Sequence, residues 1–372
     1  MKTFDSLYDE IISLPNLYRA YALAKEGKKD KTYIEFNKAM HENLWSLHEE
    51  LRDRAYSPSP YTVFYVDDYK RRRIMAPHFR DHVVHHAIHN FVEQLYDACF
   101  IYDSFACRTG KGTHKAFSRL RKFMYKYSDN SYFMKCDISK YFYSIDHRKL
   151  ISVIRKKIKD TRLLWLLSKV IGSHCEDKLP SHIDNIPFRV QKKGIPIGNL
   201  TSQLFANIYL NEMDYYIKHE LKVKHYVRYV DDFVFFGGSK KELNGIFSKT
   251  QEFLEKELFL KLERRKVQLN KVSFGVDFLG FVAFKQYVRV RTRNYRRFKI
   301  RIKKKISSYY SGEIDFEKLS ASFNSYQSHL AHTNSEKIKK DIDSIHDAAA
   351  LKAEQSNGAV TGTMGQVQGC ST

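Results

Sequence analysis

The chain has 372 residues, of which 43% are hydrophobic and 14% aromatic. That is enough apolar material to bury one large core or two to three lobes, and it excludes a disordered polypeptide. A formal net charge of +22 favours a polyanionic partner, either nucleic acid or an anionic membrane surface. No apolar run reaches the roughly 18 residues of a membrane span, and residues 1–20 contain acids and no signal-peptide pattern. Cys99, Cys107, Cys136, Cys175 and Cys370 lack CxxC spacing, so neither a zinc knuckle nor a disulfide framework is indicated. A cytoplasmic protein without a membrane role is expected.

Residues 4–54 predict two helices separated by Lys25–Lys31, the second carrying Phe36, Met40, Leu44, Leu47 and Leu51 at helical spacing. Ser57, Pro58 and Pro60 end this helical extension of residues 1–60, which shows no chemistry of its own. Tyr61–Val66 alternates like a strand, and YKRRRIMAP (Tyr69–Pro77) sets three arginines, Arg73 among them, before an apolar strand. Guanidinium forks there suit a triphosphate or a template backbone; a solvent-facing basic turn is the alternative. His78, His82, His85, His86 and His89 share one predicted helix, where packing and hydrogen bonding account for them better than zinc does. YDSFACRTGKGTHKA (Tyr102–Ala116) then gives a glycine-flanked loop with Arg108 and Lys111 before a helix, a weak phosphate-contact signal.

YFMKCDI (Tyr132–Ile138) predicts a buried strand that delivers Asp137 at its end, followed by Phe142 and a long amphipathic helix over Lys149–Ile171. Lys178–Lys193 reads as a polar insertion. GIPIGNLTSQ (Gly194–Gln203) opens a helix through Leu204, Phe205, Ile208, Met213 and Ile217. Gly194 and Gly198 permit close backbone approach, and Ser202 at the helix start suits either a phosphate or an ordinary cap. In HYVRYVDDFVFFG (His225–Gly237) two apolar strands flank Asp231 and Asp232 in a tight turn. Adjacent carboxylates repel unless a cation lies between them, so a divalent-metal site competes with a simple polar turn. A second acid from a separate strand, Asp137, favours the metal: two-metal phosphoryl transfer needs such carboxylates around ions about 3.5–4 Å apart.

Asp137-x-x-x-x-Phe142 followed by the YVDD hairpin Tyr229–Asp232 resembles the palm of reverse transcriptases. Arg108, Gly110 and His114 are similar to an FRPGRSTH-like stretch of group II intron and related bacterial enzymes. The IGxxxSQ form of Ile197–Gln203 resembles the reverse transcriptases of diversity-generating retroelements, although Val230 stands where that family often has Met. The resemblance runs from Tyr61 to just past Gly280. It implies an α+β right-hand polymerase: fingers and palm over 61–284, a basic helical thumb over 285–346, and a disordered tail over 347–372.

Two Mg²⁺ ions, with Mn²⁺ as a substitute, are expected on Asp137, Asp231, Asp232 and the Ile138 carbonyl. Arg73, Arg108, Ile197, Gly198, Gln203 and Lys266 are expected near nucleotide or template, and Phe142 as the aromatic gate against a ribose 2′-hydroxyl. Phe278, Leu279 and Gly280 resemble an FLG primer grip. From Arg289 to Lys305 there are ten Lys or Arg and no acid, including Arg293, Arg296, Arg297 and Lys299, which with Lys111 are expected on nucleic acid. A solvated helical face is the alternative for that run. The implied activity is error-prone copying of a template-repeat RNA into cDNA, with mistakes at adenine, mutagenic retrohoming and an accessory variability-determinant partner. The resemblance further implies deoxynucleoside triphosphates, template RNA and an RNA/DNA hybrid as the partners. Retron-like or antiphage reverse transcriptases, and a non-catalytic RNA-binding protein with a polymerase fold, are the competing readings. No room is expected for a ribonuclease H, integrase or endonuclease domain, and ValThrGly at 360–362 is set aside as a chance match to a retron motif.

Overall fold

The computed structural model describes residues 3–67, 71–173 and 193–362. Tyr69 and Lys70 of the arginine ribbon, nearly all of the 178–193 insertion and the tail beyond 362 lie outside the described residues. The chain divides into two units, one gathering residues 1–120 and 132–269, the other 121–131 and 270–372.

The first unit opens with α1 Tyr8–Ile12, α2 Leu14–Ala24, α3 Lys31–Lys38 and α4 Met40–Arg52, four helices where spacing predicts two. Local capping makes the difference. The Ser13 hydroxyl accepts from the Asn16 N–H with Pro15 in the first turn of α2, and the Asn43 amide donates to the Phe36 carbonyl at 2.9 Å where Ala39 leaves the helical region. Next come the antiparallel strands β1 Thr62–Asp67 and β2 Arg71–Ala76, helix α5 Phe79–Asp97, and α6 Thr113–Met124, which leaves the unit after Leu120.

β3 Tyr132–Asp137 returns the chain, followed by the short α7 Tyr141–Ser144, then α8 His147–Arg155 and α9 Thr161–Gly172. The single helix predicted over 149–171 is two, because Asp160 caps α9: its Oδ1 accepts from the Arg162 and Leu163 N–H groups at 3.0 and 3.2 Å. Its other oxygen accepts from the Leu7 and Tyr8 N–H groups, both at 2.9 Å, and so pins α1.

α10 Leu200–Tyr215 continues into a π-helical turn, Tyr216–Glu220, and is followed by β4 Tyr226–Tyr229, β5 Asp232–Gly237 and α11 Lys240–Glu257. β6 Gln268–Lys271 is an edge strand within which the chain passes into the second unit. The sheet order is β4-β5-β3-β6, with β3 and β4 both antiparallel to β5. Met134, Cys136, Tyr226, Phe233 and Phe235 on one face join Leu204, Phe205 and Tyr209 of α10 in the core. Alternation along the strands therefore puts Asp137 and Asp232 on the opposite face, at the end of the sheet.

The second unit holds the antiparallel strands β7 Val276–Phe278, β8 Phe281–Ala283 and β9 Val288–Val290, then α12 Thr292–Tyr310, α13 Phe316–Leu330 and α14 Glu336–Gly362. Phe298 and Ile302, one turn apart on α12, are buried with Leu319 and Phe323 of α13, and the Phe298 ring stacks on Tyr326 at 3.9 Å. Where composition predicts a disordered tail from about 347, α14 runs on to Gly362. Its Ala, Lys, Glu and Gln are good helix formers, which the polar bias had masked. Among the described residues no helix is long and apolar enough to cross a membrane. The chain is α+β, with helices around antiparallel sheets.

Candidate active site

β4 and β5 meet in a two-residue turn, Val230–Asp231, with Tyr229 paired to Asp232. Val230 is held at φ 55°, a left-handed conformation that a β-branched residue rarely adopts. Across the sheet Asp137 stands directly opposite Asp232. The acids from two distant stretches thus come together as the sequence predicts. The Lys261–Glu263 segment runs beside Asp137–Ser139, with the Glu263 N–H donating to the Asp137 carbonyl and the Ser139 N–H to that of Lys261, both at 2.8 Å. One turn later Lys266 forms an ion pair with the Asp137 carboxylate. Lys135 stands 3.9 Å from Asp232.

The electrostatics of this cluster are unbalanced. Burial, then the charges of Asp137 and Asp232, push the Asp231 carboxyl up to about 7, against a backbone hydrogen bond and Lys266. Burial also works against the Lys266 ammonium, but Asp137 more than offsets it and holds that group above the usual lysine range. The Ile138 side chain is in the core, so only its backbone is available to a ligand. Carboxylate and carbonyl oxygens with excess negative charge are the donor set of a hard divalent cation. With Asp137 engaged by Lys266, no three His, Cys, Asp or Glu side chains among the described residues are gathered to hold a single ion. What favours a cation here is the unbalanced negative charge at Asp231, raised by burial and by Asp137 and Asp232.

Sequence reading missed what stands behind the turn. Arg228 is fully buried, as is its partner Asp214 on α10: Nε lies 2.8 and 3.0 Å from the two carboxylate oxygens and Nη2 2.6 Å from Oδ2. Nη1 donates to the Asn207 side-chain oxygen at 3.2 Å and to the Val230 carbonyl at 3.0 Å. Tyr226 donates to Asp214 at 2.7 Å. The available signal was an arginine at an inward-facing position of an otherwise apolar strand, which demands a buried anion.

The loop before α10 reaches a different strand. The Met75 N–H of β2 donates to the Ile197 carbonyl at 3.0 Å. At Gly198, φ is 127°, and a Cβ would lie 2.9 Å from the Met75 carbonyl oxygen, which requires glycine. Ile197 and Phe142 are half-buried and Gln203 is exposed on the first turn of α10. Ser202 is buried, which removes it as a phosphate contact. The Asn199 amide donates to the Tyr61 hydroxyl at 2.7 Å, and His85 meets the Thr201 hydroxyl at 2.7 Å. Arg73 is exposed on β2 opposite Tyr65, so the structure ties the arginine strand to the Ile197–Gly198 loop.

Other expectations need correction. Arg108 is turned inward, its side chain 6% exposed. It donates to Asp97 at 2.6 Å and to the Ile101 and Ser104 carbonyls at 2.8 Å, so it braces its own loop rather than a nucleotide. Lys111 likewise donates to the Tyr102 carbonyl and lies 3.5 Å over the Tyr102 ring. In the second unit Phe278 is buried, and Leu279 (φ 52°) and Gly280 (φ 91°) form the half-buried turn of the FLG hairpin. An apolar strand end facing a core explains the change. Arg293 and Arg296 are exposed on α12 and Arg297 is half-buried, whereas Lys299 pairs with Asp341 of α14 at 3.1 Å. The FLG hairpin and α12 share this unit, while Asp137, Asp231 and Asp232 belong to the other.

The sequence matches the reverse transcriptase (RNA-dependent DNA polymerase) family over residues 66–283, more than half of the chain. It is similar to protein YkfC of Escherichia coli, 27% identical over 68% of this chain and 73% of that protein. It is also similar to the group II intron-encoded protein LtrA of Lactococcus lactis, 24% identical over 73% of this chain and 54% of LtrA, and so spans about half of that relative. A putative COX1/OXI3 intron 2 protein of Saccharomyces cerevisiae is 23% identical over 54% of this chain and 29% of its own length. With its matched segment containing the arginine strand, the loop before α10 and all three carboxylates, the chain belongs to the reverse transcriptase family.

Proposed function

We propose that the chain copies a template-repeat RNA into cDNA with errors directed to adenine, as the polymerase of a diversity-generating retroelement. The supporting observation is the in-register pairing of Asp137 with Asp232 beside an Asp231 carboxyl raised to about 7. Asp137, Asp231, Asp232 and the Ile138 carbonyl would hold two divalent ions. When bound, Mg²⁺ or Mn²⁺ supplies acidification of the primer 3′-hydroxyl and charge neutralisation at the triphosphate. Lys266 keeps its proton on Nζ, and once Asp137 is shared it offers that charge to the departing pyrophosphate. Arg73 faces the triphosphate or template, and Phe142 excludes a ribose 2′-hydroxyl. In this reading the first unit supplies fingers and palm, the basic helices of the second grip the hybrid duplex, and an accessory variability-determinant protein joins the complex.

The retroelement subtype rests on Ile197–Gln203. An isoleucine beside the nascent pair offers no hydrogen bond, so discrimination between bases loosens. Similarity to LtrA favours a second reading, a group II intron-type polymerase of ordinary fidelity. Primer extension on an RNA template with Mg²⁺ and four deoxynucleotides, followed by sequencing, separates the two. Mistakes concentrated at template adenines and reduced by Ile197→Gln support the retroelement reading; even, infrequent errors reject it. Loss of extension in Asp231→Ala supports the carboxylate site, and unchanged extension in that variant removes it.

A further inference from the structure

We infer that Arg228 is a positioning residue: it transmits the fixed orientation of α10 to the catalytic turn through the Val230 carbonyl, and so sets where the Asp231 carboxylate points. A buried ion pair is a poor device for stability alone, since a well-packed apolar pair of similar volume commonly serves as well or better. The way Arg228 divides its donors indicates a second purpose. Nε and Nη2 are spent on Asp214, while Nη1 reaches past Asn207 to the Val230 carbonyl at 3.0 Å. That carbonyl belongs to the peptide that leads into Asp231. Val230 itself carries a left-handed φ of 55°, a conformation that persists only when its surroundings hold it.

The guanidinium is well placed to do the holding because its own backbone is fixed. The Arg228 N–H donates to the Asp103 carbonyl at 2.9 Å, and the Phe105 N–H donates to the Arg228 carbonyl at 3.1 Å. Asp214 sits on a helix buried on nearly every side and receives a further hydrogen bond from Tyr226. Helix, ion pair and turn carbonyl therefore form one chain of contacts that ends at the residue before Asp231. Only a forked side chain can close it, because a lysine ammonium cannot span both Asp214 and Val230.

The inference rests on the polymerase reading, and its test separates the two. In Arg228→Lys the charge facing Asp214 is kept and the second arm is lost. Relative to the unaltered chain, kcat for deoxynucleotide addition on a primed RNA template should fall about tenfold, with KM within about twofold, the pattern of a misplaced reacting group. Mn²⁺ binding to the full chain, read by electron paramagnetic resonance without nucleic acid, should weaken about fivefold, on the order of 1 kcal/mol. Adding Val230→Gly should recover at least about half of the lost kcat, because glycine occupies a left-handed turn position without a tether. Unchanged kcat and Mn²⁺ affinity in Arg228→Lys would overturn the inference, as would losses that Val230→Gly leaves untouched, since a purely structural arginine is not rescued at the turn. If the unaltered chain fails to extend a primer, the polymerase reading falls, and the Mn²⁺ comparison alone decides the role of Arg228.

Discussion

An ionised Asp231, flanked by Asp137 and Asp232 and largely removed from water, is a local destabilisation of the fold. Asp231→Asn removes that charge while keeping the shape. In the absence of divalent metal at about pH 8, the variant should melt several degrees above the unaltered chain, by about 1–3 kcal/mol, and extend primers at least about a hundredfold more slowly. Scanning calorimetry and an extension assay read the two effects; a variant less stable than its parent would show that Asp231 is compensated in the folded state. The α5 histidines behave in the opposite sense. Burial, then neighbouring cations, depress His82 to about 4, His85 to about 3 and His86 to about 4, and His89 is lowered by burial against Glu93. The groups facing them include Lys28 at 3.2 Å from His82, Asp30, Glu93 and Thr201. An unfolded chain takes up these protons near about 6.5 and the folded one far lower, so this stability is complete above about pH 6.5 and declines as pH falls toward about 4. Thermal midpoints measured across that window should drop, and His86→Gln should flatten the slope by about one proton; an equal slope in the variant would count against the buried-neutral assignment.

At the scale of elements, legibility followed sequence distance. Strand patterning gave β3, β4 and β5 and the acids at their ends, because period-two alternation and a two-residue turn are local signals. The breaks at Ser13 and Ala39 rest on local caps, whereas the break in the predicted 149–171 helix rests on a side chain whose second partner is remote. Asp160 divides the predicted 149–171 helix while also holding Leu7 and Tyr8. Arg108 read as a phosphate contact because its loop is basic and glycine-flanked, yet Asp97 and two carbonyls take its donors. Arg228 went unread because its partner lies on another element. A consequence for α1 can be tested. Asp160→Ala strips four N–H groups of their acceptor and should destabilise the first unit by about 2–4 kcal/mol. Limited proteolysis should then cut between Ile12 and Leu17 well before it cuts α5, whereas simultaneous loss of both regions would mean that α1 is no separable element.

For the whole molecule, charge is the property that composition announced and the structure localises. Arg296, Lys303 and Lys304 are exposed on α12, whose buried side is Phe298 and Ile302. If that face binds a duplex backbone, replacing all three with Gln should reduce the slope of log affinity against log salt for an RNA/DNA hybrid by about 2–3, close to one per phosphate released. Filter binding over a salt series measures it, and an unaltered slope would assign the basic face to solvation alone. The α+β class, the reverse transcriptase family and the meeting of Asp137 with Asp232 were readable because strand patterning and motif order are local signals. The bracing behind them was not, because arginine, asparagine and aspartate in apolar surroundings reveal their roles only once partners meet.

The Asp160 clasp also sets an order of events during synthesis. Its carboxylate accepts from the Leu7 N–H, 153 positions earlier in the chain. At about 5–20 residues per second, the first helix waits roughly 8–30 s after leaving the ribosome for the group that anchors it. Until then its apolar side, Tyr8, Ile11 and Ile12, lacks that anchor. A nascent chain paused before residue 160 should therefore be a preferred client for chaperones that recognise short apolar segments, and that dependence should vanish soon after α9 emerges.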